Sequence, residues 1–156
     1  MKNTWILHTI EQLPAGAFLI VDGNPMTIGW AQFGVIWGKL CCTVYVRDSR
    51  YTHKLLESAD SFTISVPALG TYKKELAKCG TLSGRDINKM ELCNLSFLPD
   101  RMAIKGCAVH IFARILNRER LEPSSIDPNI TSRYYPSGGA HTAYIAEITD
   151  VYEEEL

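Results

Sequence analysis

Arg47 and Arg50 stand in the run Arg-Asp-Ser-Arg-Tyr-Thr at residues 47–52, together with Ser49, Tyr51 and Thr52. An apolar, strand-like run (43–46) precedes them, and Tyr51, Leu55, Leu56 and Ala59 follow at helical spacing. The arginines therefore fall where a strand turns into a helix. The first turn of a helix leaves backbone N–H groups unpaired, and its dipole favours an anion. Ser49 is placed to act as the N-cap. Two guanidinium groups add forked, charge-assisted hydrogen bonds, and the Ser49 and Thr52 hydroxyls add donors. This set suits a phosphate. It is also compatible with an ordinary capped helix whose arginines are solvated or paired with Asp48 and Glu57.

A second stretch is Asn24-Pro25-Met26-Thr27-Ile28-Gly29-Trp30. Gly weakens a strand unless something must approach the backbone closely. Gly29 and Gly34 both interrupt an apolar run over residues 26–37. A flat aromatic ligand against the backbone would explain Gly29, and Thr27 adds a hydroxyl. A bulged strand with no ligand explains the glycines equally. A third stretch, residues 81–86 with Ser83, Gly84 and Arg85, followed by Lys89, is short, polar and basic. It either completes a ligand contact or is a surface loop with Arg85 paired to Asp86. His141, with Tyr144 three residues on, is the candidate for positioning a nicotinamide or supplying a proton. The remaining histidines have no partners near them in sequence. No Ser-His-Asp set, paired carboxylates, metal-ligand spacing or G-x-G-x-x-G fingerprint is present.

The elements that must hold these residues are mostly strands. Residues 17–21 form an apolar run closed by the turn signal Asp22-Gly23-Asn24-Pro25. Residues 26–37 read as a strand covered on both faces, as at a barrel centre or a dimer interface. Residues 62–66, 107–116 and 143–152 read as further strands, and a second helix is predicted within residues 69–78, stopped near Gly80. Residues 122–139 are rich in Pro, Ser and Gly and read as a long surface loop, the kind used as a lid or partner contact. Strands outnumber helices without regular β-α alternation, which predicts a mainly β chain: an antiparallel barrel with a few helices.

The chain has 156 residues, enough for one domain spanning 1–156. A net charge of −1 argues against nucleic acid, and no polybasic run or long apolar segment points to a membrane. The five cysteines form no C-x-x-C pair, so neither disulfides nor zinc is indicated, and a reducing cytoplasm is expected. Adjacent Cys41 and Cys42 read as buried small hydrophobes on opposite strand faces.

Several of these motifs occur together in a definite order. N-P-M-T-I-G-W, W-G-K-L, V-Y-V-R-D-S-R-Y-T-H, F-T-I-S-V-P, G-T-L-S-G-R-D-I-N-K and H-T-A-Y-I-A-E-I follow one another with similar gaps. In this the chain, from about Gly16 to Tyr152, resembles the flavin reductase-like family with the FMN-binding split-barrel fold. The resemblance implies a six-stranded antiparallel Greek-key barrel. It also implies a homodimer with FMN near the subunit interface. In that family the stretch matching Met26, Thr27, Ile28, Gly29 and Trp30 lines the isoalloxazine. The stretch matching Arg47, Ser49, Arg50, Tyr51 and Thr52 holds the phosphate and ribityl chain, and the segment 83–89 closes over the cofactor. The typical activity is reduction of flavin by NADH or NADPH, sometimes feeding a partner monooxygenase. Some members instead exchange electrons with other proteins. The chain departs from the family pattern at Lys39-Leu40, followed by Cys41-Cys42, and at Ala146, neither of them in the phosphate stretch.

The expectation is thus an FMN-binding oxidoreductase taking hydride from NAD(P)H. Asn24 and residues 26–30 would hold the ring, and residues 47–52 the phosphate. The alternatives are an FMN-binding electron-transfer protein or sensor without NAD(P)H turnover, and a pyridoxamine-phosphate-oxidase-like enzyme.

Overall fold

A computed structural model describes residues 4–156. The first element of the described residues is helix α1 (Thr4–Gln12), which buries Trp5, Thr9 and Gln12 on one face. The Thr9 hydroxyl donates to the Trp5 carbonyl at 2.7 Å, and Pro14 in the following 3-10 turn ends the helix. Gly16 then takes φ 110°, and a Cβ there would meet the Thr27 methyl at 2.9 Å. Only glycine satisfies both the turn and this close approach.

Seven strands follow: β1 (Ala17–Val21), β2 (Asn24–Ile28), β3 (Ala31–Ile36), β4 (Lys39–Arg47), β5 (Ser61–Val66), β6 (Val109–Arg120) and β7 (His141–Glu153). Helices α2 (Tyr51–Leu56), α3 (Lys73–Thr81), α4 (Lys89–Leu92) and α5 (Pro128–Tyr134) lie between them. The β1–β2 and β3–β4 connections are two-residue turns with both φ positive, Asp22-Gly23 and Trp37-Gly38. This is the type I′ pattern that matches strand twist. All strand pairs are antiparallel, in the order β2-β1-β5-β6-β7-β4-β3.

That order forces the sheet to close. β2 and β3 are at opposite ends of the sheet, yet only Gly29 and Trp30 join them. Across so short a link the strand ends are at most about 10 Å apart. In a flat sheet the six inter-strand steps would separate them by about 29 Å. The sheet therefore curls into a barrel whose seam, between β2 and β3, has no strand hydrogen bonds. Within it, β1 alternates: Ala17, Leu19 and Val21 join the barrel core, whereas Phe18 and Ile20 pack outward with Leu76 and Cys79 of α3. Both faces are covered, which is why β1 is an unbroken apolar run.

The mainly β antiparallel barrel is as the sequence predicts, with corrections. The barrel has seven strands instead of six, and the apolar run 26–37 is two strands divided at Gly29-Trp30. Residues 122–139 are not structureless: a 3-10 turn (Pro123–Ser125) precedes α5. Asp127 caps α5, accepting from Asn129 N–H at 2.8 Å, and Pro128 occupies its first turn. The second predicted helix, α3, starts inside the expected span and runs through Gly80 to Thr81.

Candidate functional site

The seam of the barrel carries the site. At its cationic end, Arg50 reaches across from the start of α2. Its Nε donates to Met26 Sδ at 3.3 Å, its Nη1 to the Gly80 carbonyl at 2.9 Å and its Nη2 to the Cys79 carbonyl at 3.4 Å. Lys89, buried at 3% exposure, donates from Nζ to the same Cys79 carbonyl at 3.0 Å. Burial pushes its pKa down, and the Arg50 charge adds to that. Neither cation has a carboxylate partner among the described residues. Pairing of Arg50 with Asp48 or Glu57 is not found. Asp48 is engaged by Arg120 and His53, and Glu57 by His53 and the Tyr144 hydroxyl. Arg50 and Lys89 border a cavity of about 90 Å³, ringed by Ser49, Thr52, Thr81 and Ser83.

The N-cap of α2 is Arg50, not Ser49, and no side chain caps it. The register is one residue later than Ser49 would set. Ser49 faces the small cavity instead. Thr52 is fixed by Asn24, whose Nδ2 donates to its hydroxyl at 3.2 Å.

Adjoining this cavity, with Arg50 in both walls, is a second of about 310 Å³. Met26, Thr27, Ile28, Gly29 and Trp30 form one side, and Tyr45, Arg47 and His141 the other. β2 is an edge strand, so its outer N–H and C=O groups have no strand partner. The Thr27 hydroxyl donates its proton to the Leu76 carbonyl at 2.5 Å, so toward a ligand it can act only as an acceptor. Gly29 has a structural reason to be small: a Cβ there would lie 3.3 Å from the Leu13 carbonyl. Gly34 has open space around it, so no close approach explains it.

Arg47 is placed with the larger cavity, not the small cationic one. Its Nη2 donates to the Tyr134 carbonyl at 2.6 Å, and its guanidinium sits 5.1 Å from the Tyr135 ring centre. It therefore buckles the α5 segment to β4. Residues 83–89 also divide. Ser83 faces the cationic cavity, Gly84 and Arg85 line, with Asn24, an outer groove of about 450 Å³, and Lys89 borders both. Gly84 packs tightly on the Asn24 side chain, and Arg85 covers the Tyr51 ring at 5.5 Å instead of pairing with Asp86. Tyr51 borders both the groove and the small cavity.

His141 opens β7 directly across from Arg47. Its ring lies 4.7 Å from that of Trp30, and its Nδ1 is 2.7 Å from the Tyr135 hydroxyl. Burial, and after it the Arg47 charge, lower its pKa. A third cavity, about 470 Å³ and mostly apolar, shares Gly29, Trp30, Tyr45 and His141 with the second and is roofed by Ile126, Ile130 and Tyr135. Tyr45 is not among the expected site residues, although its place two residues before Arg47, on the same strand face, is a signal that could have found it. Tyr135 and the Cys79 and Gly80 carbonyls gave no sequence signal, since main-chain acceptors and a loop residue carry none.

The molecule is thus an antiparallel barrel with an elongated cleft along its open seam, cationic at one end and aromatic at the other. Residues 11–156 match the flavin reductase like domain model, and the chain belongs to that family. An uncharacterised protein of Archaeoglobus fulgidus is 28% identical over 155 residues, covering 94% of this chain and 77% of its own. Among solved structures, the flavoredoxin of Methanosarcina acetivorans is similar, with 27% identity and a TM-score of 0.63 over 90% of this chain and 68% of its own. The NADH:FAD oxidoreductase of Streptomyces globisporus has the same fold, at 15% identity and a TM-score of 0.64 over 89% and 74%.

Proposed function

We propose that the protein binds FMN along the seam and acts as a flavin reductase-type oxidoreductase with NAD(P)H as electron donor. The observation that carries this is the pair Arg50 and Lys89: two cations held on one carbonyl, with no carboxylate among the described residues to balance them. A buried cation without a counter-charge is costly. A phosphate in the cavity between Ser49, Thr52 and Ser83 supplies the missing charge and takes up the hydroxyl donors. The adjoining cavity, reached past Arg50, fits the flat ring, with the unpaired edge of β2 at Thr27 and Ile28 and the backbone of Gly29 just beyond it available to its polar rim.

When bound, FMN supplies the hydride chemistry, and the protein supplies position and electrostatics. Arg50 and Lys89 neutralise the phosphate. Trp30 and His141 wall the ring cavity, and the α5 segment, held by Arg47, shields it from water. His141, kept neutral by burial and by Arg47, offers a hydrogen bond without adding charge.

The NADH:FAD oxidoreductase among the similar structures supports turnover with a pyridine nucleotide. The flavoredoxin, with higher identity, favours a second reading: an electron-transfer flavoprotein without NAD(P)H turnover. Anaerobic addition of NADH or NADPH to FMN-loaded protein separates them. Catalytic bleaching of the visible flavin absorbance is expected. FMN that stays oxidised with both donors leaves the electron-transfer reading.

A homodimer and a flavin-consuming partner protein belong to the same proposal. The β3–β4 hairpin exposes Val35 at 77% and Trp37 at 57%, beside a largely apolar groove that includes Phe33 and Ile145. A second copy of the chain fits such a surface. The five free cysteines support a reducing, cytoplasmic setting, and among the described residues no helix is long and apolar enough to cross a membrane.

A further inference from the structure

Tyr135 ends α5 as its C-cap, and the turn that follows brings it back over the first residue of β7, His141. Gly138 and Gly139, at φ 84° and 82°, make that return. The Tyr135 ring is held in place by the Arg47 guanidinium, which also binds the preceding carbonyl. The Tyr135 hydroxyl therefore arrives at His141 Nδ1 from a fixed direction, at 2.7 Å.

The bond has a sense. Among the described residues the Tyr135 hydroxyl has no hydrogen-bond partner except His141 Nδ1. A phenol must place its proton somewhere, and Nδ1 is the available acceptor. If Nδ1 carried the hydrogen and donated to the phenol oxygen, the phenolic proton would have to turn away to solvent, and the hydroxyl would forgo the one protein acceptor it has among the described residues. The imidazole consequently holds its own proton on Nε2, which has no partner among the described residues. His141 borders both the ring cavity and the apolar chamber beside it.

We propose that Tyr135 is a positioning residue that locks His141 in the Nε2–H tautomer, so that a neutral imidazole presents a hydrogen-bond donor to an uncharged acceptor atom on the molecule occupying the chamber beside Trp30. An imidazole free to change tautomer would present a donor only part of the time. Only the kinetic consequence rests on the reductase reading; the tautomer does not.

The test is long-range proton–nitrogen NMR of the histidine side chains in wild type and in Tyr135→Phe, paired with NADH kinetics on FMN-loaded protein. Phe keeps the ring under Arg47 and removes only the hydroxyl. The expected result is a pure Nε2–H signature for His141 in wild type and a mixture of tautomers in the variant. KM for NADH should rise about fivefold, the loss of one ordinary hydrogen bond, with the dissociation constant for FMN unchanged. An Nδ1–H tautomer in wild type overturns the proposal, and that spectrum decides even if the variant folds poorly. An unchanged tautomer in Tyr135→Phe overturns it, as does a changed tautomer with an unchanged KM. Absence of NADH oxidation in both proteins removes the reductase reading instead and leaves the tautomer spectra to decide the role of Tyr135.

Discussion

Lys89 Nζ and Arg50 Nη2 donate to one and the same acceptor, the Cys79 carbonyl, at 3.0 and 3.4 Å. Two positive groups converge there from separate elements, Arg50 from the start of α2 and Lys89 from the start of α4. A carbonyl dipole offsets only part of that charge. On the proposed reading, the arrangement trades stability of the ligand-free protein for affinity toward the FMN phosphate.

This trade predicts opposite signs for Lys89→Met. Without ligand, removing a buried, carboxylate-free charge should raise stability by about 1 kcal/mol, or roughly 3 °C in Tm. FMN affinity should fall by about 1.5–3 kcal/mol, the range for a lost charged hydrogen bond. Thermal melts with and without FMN check both. A variant with lower Tm and unchanged affinity would make Lys89 a packing residue alone.

Arg47→Ala should act on the strap and not on the phosphate. Its guanidinium is engaged by the Tyr134 carbonyl and the Tyr135 ring. Amide exchange in residues 122–139 should quicken by about an order of magnitude, from the loss of an anchor worth about 1.5 kcal/mol. FMN affinity should change much less than for Arg50→Ala. Unaltered exchange in that segment contradicts the anchoring role.

A buried histidine predicts how stability depends on pH. His110 is fully buried, between Ser65 Oγ at Nδ1 and Glu154 Oε2 at Nε2, each 2.9 Å away. Burial lowers its pKa below the ordinary 6.5, opposed by Glu154. The unfolded chain therefore takes up the proton first as pH falls. The contribution of His110 is complete above about pH 6.5 and is lost as pH drops from there toward the lowered folded value. Urea melts across this range should show declining stability, and His110→Asn should flatten the decline. A stability that rises on acidification through the same window would show a folded-state pKa above the ordinary one.

How much of this was legible in sequence follows from what kind of group does each job. The cationic pocket showed through Arg50, Ser49 and Thr52 because donors for phosphate are side chains of recognisable type. The carbonyls of Cys79 and Gly80 that aim Arg50 are main chain and depend on where α3 stops. Arg47 is chemically equivalent to Arg50 in sequence, and only the return of α5 assigns it a different task. The strands showed through their apolar runs, whereas the break at Gly29-Trp30 did not, because Trp30 continues the apolar pattern. α5 was announced by Asp127-Pro128, a capping signal submerged in a Pro- and Ser-rich segment.

The apolar hairpin predicts a dimer that one charge can break. Val35 is 77% exposed near the tip of β3–β4. Val35→Asp should shift the mass measured by light scattering from dimer to monomer, because an unpaired carboxylate would be desolvated in the contact. A wild-type protein that is monomeric at every concentration rules out this surface as a self-contact.

The most direct measurement is a calorimetric titration of FMN and of riboflavin into wild-type protein and Arg50→Ala. The two ligands differ only in the phosphate. With the phosphate seated between Arg50 and Lys89, Arg50→Ala should weaken FMN by about 1.5–3 kcal/mol and leave riboflavin almost unaffected. Equal losses for both ligands, or none for FMN, would place the phosphate elsewhere and contradict the site.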